Sequence, residues 1–205
     1  MTDIVLTMPQ VPPELADNPD RLRWNERYGG GSAPAFAVHE VAVLALSARL
    51  PDGPVLELAC GPSGSALLAA ERGRSVTVVD VSEVALGLLA AEAQRRHLGQ
   101  LISVVQADLL TWQPPARQYA LVLCTGYWDG TVFAVAAGLV VQGGVIGWQA
   151  LTQAARQAHP HLPAEWCVGP GEPACLLPTG FEVISQRDVG PEPAVRRRLL
   201  ARRTR

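Results

Sequence analysis

Residues 55–65 read V-L-E-L-A-C-G-P-S-G-S: a short apolar run, then a turn of small residues, then a stretch of helical composition near Ser65 to Arg72. A strand that feeds a helix through so tight a turn leaves few solutions, because the chain must next return to the same sheet. It does so repeatedly. Ser75 to Asp80 contains V-T-V-V-D, an apolar run suited to a buried parallel strand. Ser82 is placed to cap a helix reaching about His97, with Ala85, Leu88, Leu89 and Glu92 in helical register. Further strands are predicted at Ile102–Gln106, Ala120–Thr125 and Gly144–Ala150, with a helix from Thr131 to Leu139. The rhythm predicts an α/β fold: a doubly wound, Rossmann-like open sheet with parallel strands ordered 3-2-1-4-5 and an antiparallel edge.

The ends of the chain read differently. The first 20 residues are rich in proline and are expected to form an irregular arm. Arg21 to Tyr28 suits a short helix ended by Gly29-Gly30-Gly31, and Pro34 to Leu50 has helical periodicity through Phe36, Val38, Val41, Leu44 and Leu46. His159 to Pro173 reads as a loop and Phe181 to Val189 as a strand, while Ala194 to Arg202 fits a helix or an edge strand. Neither a repeat nor a strong linker divides the chain. The expected organisation is one domain over 1–205, with 1–53 a helical cap or lid and 54–205 the α/β core.

Composition narrows the function classes. Net charge is −2, which gives no positive field for gathering nucleic acid. All 17 basic residues are arginine, so no lysine is present to form a Schiff base or a P-loop contact. We read the bias as codon usage. Cys60, Cys124, Cys167 and Cys175 have no C-x-x-C spacing, so no zinc module or other metal site is expected. The start of the chain lacks a basic stretch followed by an apolar run, and a cytoplasmic protein with free thiols is expected. Gly130 to Ala155 carries no charge, but Gln142-Gly143-Gly144 interrupts it, so a buried helix and strand explain it better than a membrane span.

Two acids stand where such a sheet binds ligands, beyond the carboxyl ends of its strands. Asp80 ends the second strand, where a carboxylate can accept from both hydroxyls of a ribose. Asp108 follows the third strand in Q-A-D-L, where it can accept from an adenine amine while the next backbone N–H meets a ring nitrogen. The glycine-rich E-L-A-C-G-P-S-G-S, V-T-V-V-D-V-S and Q-A-D-L together resemble class I S-adenosylmethionine-dependent methyltransferases. W-N-E-R-Y at 24–28 resembles the W-x-x-R-Y segment of small-molecule members, including the tellurite-resistance-like group, and Q-G-G-V-I at 142–146 resembles the turn before their fifth strand.

The resemblance implies S-adenosylmethionine as cofactor and methyl transfer to a small-molecule acceptor such as a thiol or metalloid oxyanion. It implies that Glu57, Ala59, Gly61 and Ser63 line the methionine half. Asp80 would hold the ribose, Val81 would pack on adenine, Asp108 and Leu109 would recognise the base, and Cys124 and Thr125 would lie near the sulfonium. It also favours a strand over Ala194–Arg202. Trp24, Arg27 and Tyr28 are expected on a lid over the methionine half and acceptor, hinged at Gly29–Gly31, with Arg27 offsetting Glu57 against the cofactor's carboxylate.

The pattern departs from the family at two places: Ala59 replaces the usual first glycine and Ser63 the third, with Gly64 after it. A nicotinamide-dependent oxidoreductase is the rival enzyme, but it wants G-x-G-x-x-G and gives Glu57 and Asp108 no role. A non-catalytic cofactor-binding protein that kept the fold is the rival of another class. Tyr127, Trp128 and His159 are the candidate acceptor-side residues, and no single catalytic residue stands out. His39 and His97 are read as structural residues within or ending helices, and the six arginines among 196–205 as a solvated terminus. A monomer or homodimer with a small-molecule substrate, and without nucleic-acid or membrane partners, is expected.

Overall fold

The computed structural model describes residues 11–31, 34–116, 118–157 and 159–205. The first ten residues of the expected arm lie outside them. Helix α1 spans Pro19–Gly29 and α2 Glu40–Ser47. Then β1 (Val55–Leu58), α3 (Gly64–Glu71), β2 (Val76–Asp80), α4 (Glu83–Arg95) and β3 (Ile102–Gln106) alternate. Strand β4 (Tyr119–Thr125), α5 (Gly130–Gly138) and β5 (Val140–Leu151) follow, and β6 (Phe181–Val189) and β7 (Arg196–Arg203) close the sheet. The strand order is β3-β2-β1-β4-β5-β7-β6. The first five strands are parallel, and β7 runs antiparallel to both β5 and β6. This is the expected doubly wound sheet, and Ala194–Arg202 resolves from Arg196 onward as strand β7, which lies inside the sheet between β5 and β6 rather than at its edge.

Local chemistry starts four of the helices. Asn18, Ser63, Ser82 and Asp129 each accept a backbone N–H from the first turn, at 2.9–3.1 Å, satisfying donors that a helix start leaves open. Alternate strand residues then serve the two faces of the sheet. Val55, Val78, Leu121, Leu123 and Val145 meet α2, α3 and α4 on one face. Leu56, Leu58, Val122, Ile146 and Leu199 meet α5 on the other, around an aromatic trio of Trp128, Phe133 and Trp148.

Four expectations are corrected. Pro34–His39 is not helical, and α2 begins only at Glu40, so His39 precedes the helix. A positive φ of 42° at Phe36 breaks the apparent periodicity, and its backbone lies against Gly64. Likewise His97 lies past the end of α4 with φ 60°, in the left-handed conformation that terminates helices. Gln142-Gly143-Gly144 lies inside β5, where the pairing with β4 shifts register and Gly143 takes φ 78°. The pairing passes from Tyr119–Val140 to Leu121–Val145, so the strand is irregular here, with three more residues on β5 than on β4. Finally, the terminal arginines are structural. Arg198 is 2% exposed and pairs with Glu40 at 2.6 Å, tying β7 to α2. Arg197 pairs with Asp188 at 2.7 Å, and Arg202 and Arg203 donate to the carbonyls of Gly143 and Val140.

Among the described residues no helix is long and apolar enough to cross a membrane. The charge-free stretch 130–155 is spent on α5 and the core strand β5. Phe133 is fully buried and stands 5.1 Å from Trp148, ring centre to ring centre. Phe133→Ala should cost about 3–5 kcal/mol of stability, measured by urea denaturation.

Candidate cofactor site

The carboxyl ends of β1 to β5 all open on one edge of the sheet, and the expected site residues gather there. The turn after β1 is wound tightly: Ala59 has φ 47° and Gly61 φ 54°. A side chain at Gly61 would meet the Tyr28 hydroxyl at 2.8 Å, so the turn and α1 are in close contact. A side chain at Gly64 would lie 1.9 Å from the Phe36 carbonyl oxygen. Gly64 is thus the glycine that close packing demands, and the 34–39 segment it meets was invisible to the motif.

Two carboxylates organise this edge. Asp80 is buried, its Oδ2 accepting from the Gly61 N–H at 2.8 Å and its Oδ1 from the Ser82 N–H at 2.9 Å. Glu57 lies beneath the turn with no exposed surface, and both its oxygens share the Ser63 hydroxyl at 2.8–2.9 Å. Ser63, in the place of a usual glycine, therefore caps α3 and satisfies a buried acid together. Neither acid has an ion-pair partner among the described residues. Burial pushes Glu57 up to about 7, with the Ser63 hydroxyl opposing and Asp80 adding to the rise. Asp80 is also raised by burial, against the pull of the backbone N–H groups it accepts. Cys60 and Cys124 are buried beside them, and burial together with these carboxylates keeps both thiols protonated.

Helix α1 lies across the ends of β1, β2 and β3. The Asn18 amide donates to Asp108 Oδ2 at 2.9 Å. Arg21 pairs with Glu83, which also accepts from Asn25 at 2.8 Å and from Gln106 at 3.0 Å. The Ser82 hydroxyl donates to Asn25 at 2.7 Å. Trp24 and Tyr28 stack at 5.6 Å, with Arg27 exposed and 5.3 Å from the Trp24 ring centre. Burial and the nearby Asp80 push the Tyr28 phenol up to about 12. The polar contacts of α1 therefore fall on the side of Asp108 and Ser82. Asn18, Arg21, Asn25 and Glu83 were missed in the sequence because no motif links positions some 60–90 residues apart.

Val81, Leu109 and Thr125 are half-buried at the ends of their strands. Tyr127 is half-buried, and its phenol is raised by burial and then by Asp129, Cys124, Asp108 and Asp20, which places it toward the same edge. Trp128, a candidate for the acceptor side, instead fills the core against Phe133 and Trp148. His159 is exposed in the loop after β5, and no hydrogen bond joins its side chain to the edge residues among those described. Among the described residues no group of three His, Cys, Asp or Glu could hold a metal ion.

Comparison with known proteins agrees with this geometry. Residues 55–144 match the model of a methyltransferase domain. A 77-residue stretch is 40% identical to trans-aconitate 2-methyltransferase of Sinorhizobium medicae (strain WSM419); it covers 37% of this chain and 28% of that protein. TehB from Haemophilus influenzae superposes with a TM-score of 0.67 at 17% identity, over 88% of this chain and 67% of that one. A protein solved in work on conversion of a disulfide bond into a thioacetal group during echinomycin biosynthesis gives 0.68 at 19% identity, over 89% and 91%. The magnesium protoporphyrin IX methyltransferase of Synechocystis PCC 6803, solved with bound S-adenosylhomocysteine, gives 0.61 at 19% identity, over 80% of each chain.

The chain has the class I methyltransferase fold. Within that fold the altered turn has a measurable cost. An alanine held at positive φ is strained by about 1–2 kcal/mol, and glycine at the same place forfeits about 0.5–1 kcal/mol of chain entropy. Ala59→Gly should therefore stabilise the protein by about 0.5–1 kcal/mol, read as a raised denaturation midpoint. Glu57 gives a second test. Its carboxyl titrates near 7 when folded against an ordinary 4.5, so the folded state holds its proton longer. Its contribution is fully present below pH 4.5, is lost as pH rises toward 7, and is flat above. Glu57→Gln should remove that fall, on the order of 3 kcal/mol, from the stability measured between pH 4.5 and 7.

Proposed function

We propose that this protein transfers a methyl group from S-adenosylmethionine to a small-molecule acceptor. One observation carries the reading: two buried carboxylates, Glu57 and Asp80, sit at the glycine turn with no cation paired to either among the described residues. A dinucleotide would bring an anionic pyrophosphate to this turn, against Glu57 beneath it, whereas Asp80 at the end of β2 suits a ribose in either ligand. S-adenosylmethionine has no phosphate and carries a sulfonium and an ammonium, so Glu57 favours it. Its reactive sulfonium would supply the methyl group.

The residues divide the binding task. Asp80 and Asp108 retain lone pairs for the ribose hydroxyls and the adenine amine, and Val81 and Leu109 present apolar surface to the base. Glu57 sets the charge of the turn from beneath. Trp24 and Tyr28 roof the turn, where their rings can cover a cation. Arg27, exposed on the same helix, is free to meet the cofactor's carboxylate. Thr125 and Tyr127 would face the methyl group from the end of β4 and its loop, with the fully buried Cys124 beneath them. Tyr127 remains a protonated donor and can orient an acceptor. In-line displacement at a sulfonium relies on alignment and exclusion of water, which can together supply about 7–11 kcal/mol, so no dedicated base is required for a polarisable acceptor.

The relatives support a small acceptor, and W-N-E-R-Y supports the tellurite-resistance-like type with a thiol or metalloid oxyanion. Calorimetric titration should show binding of S-adenosylmethionine and S-adenosylhomocysteine. Asp80→Asn should weaken both by about 10- to 100-fold, the size of a charge-assisted hydrogen bond. Labelled cofactor should then methylate at least one member of a panel of thiols, metalloid oxyanions, carboxylates and phenols. Absence of cofactor binding by the unaltered chain would overturn the proposal.

A further inference from the structure

The roof over the sheet edge has two parts from distant regions of the chain. Helix α1 is one, held at Asp108, Ser82 and Glu83. The loop after β5 is the other. It leaves the same edge as the glycine turn, because β5 runs parallel to β4 and ends at Leu151. The loop is rooted where Thr152 bridges Val168 and the Val168 N–H donates to Leu151 at 2.9 Å. Trp166 stands two residues from that root.

The two parts meet through Arg23. Its guanidinium lies 4.5 Å from the Trp166 ring centre and 5.3 Å from that of Trp24, and Asp20 holds it at 2.9 Å. Among the described residues no hydrogen bond or ion pair joins the helix to the loop. Both partners are well exposed, Trp166 at 37% and the Arg23 side chain at 46%. Arg21 and Asn25, which fix α1 to Glu83, flank Arg23 two positions to either side. Arg23 therefore lies on the stretch of α1 that is seated on the edge, and a shift of that stretch would shift its contact with Trp166.

We propose that Arg23 and Trp166 form a clasp that couples cofactor binding under α1 to ordering of the acceptor-side loop after β5. The clasp rests on the methyltransferase reading for its ligand, though the contact itself does not. The acceptor must approach the methyl group beyond β1 and β4, beside this loop, so closure would follow cofactor loading. By reciprocity, an ordered loop holds the cofactor more tightly. An exposed cation–π contact limits the coupling to about fivefold. Arg23 and Trp166 are thus positioning residues.

Hydrogen exchange on the full chain separates the outcomes. S-adenosylhomocysteine should slow exchange of the 164–168 amides in the unaltered protein. In Arg23→Ala it should still bind, within about fivefold, yet leave those amides unprotected, while sheet amides stay unchanged. Arg23→Lys, which keeps the cation, should restore part of the protection. Equal loop protection in Arg23→Ala would overturn the clasp. Should the unaltered chain fail to bind the cofactor product, the methyltransferase reading falls instead. The clasp then stands or falls on ligand-free exchange, which Arg23→Ala should speed at 164–168 and which, if unchanged, refutes it.

Discussion

Both oxygens of Asp80 are committed to backbone N–H groups, one in the turn after β1 and one at the start of α4. That single side chain fixes the distance between two crossovers of the sheet. The rest of the edge is built on it. With Gly61 held, the Tyr28 hydroxyl can lie against the turn, and Ser82, held by its own N–H, offers its hydroxyl to Asn25. A neutral side chain could accept one of the two N–H groups but would set a donor against the other. The carboxylate satisfies both, and these charge-assisted bonds offset part of its burial cost.

The same edge stores an electrostatic imbalance. Glu57 and Asp80 are both buried and both raised toward the neutral form by burial, and Asp80 adds to the rise at Glu57. Buried charges normally come paired. Here the Ser63 hydroxyl and three backbone N–H groups, one of them reaching Ser63 itself, stand where a cation would otherwise be expected. Among the described residues these two acids are met by hydrogen-bond donors alone, with no cation beside them.

Substitutions in that turn show why a motif is read best through its geometry. Ala59 takes a left-handed conformation that glycine would adopt without strain. Ser63 can replace glycine because its hydroxyl has two uses, as helix cap and as donor to Glu57. The demand for an absent side chain has moved one residue on, to Gly64, which touches the backbone at Phe36. The sequence registered Ser63 and Gly64 as a displaced pattern, and only the contact with 34–39 explains the displacement.

Strand and helix periods, side-chain caps and the small-residue turn were local properties, so the order of elements, the parallel sheet and the positions of Asp80, Asp108 and the turn were all legible in the sequence. Those features depend on neighbours a few residues away. What the sequence left open depended on partners far along the chain. Trp128 and the terminal arginines carry polar or amphipathic groups that suit a site or a solvated tail equally. Only packing decided that Trp128 joins Phe133 and Trp148 and that Arg198 is buried against Glu40. The seating of α1 on Asp108, Ser82 and Glu83, and the meeting of Arg23 with Trp166, were likewise settled in three dimensions. Hydrogen bonds and ring contacts act over a few ångströms, and folding alone brings residues as far apart in the chain as Glu40 and Arg198 within that reach.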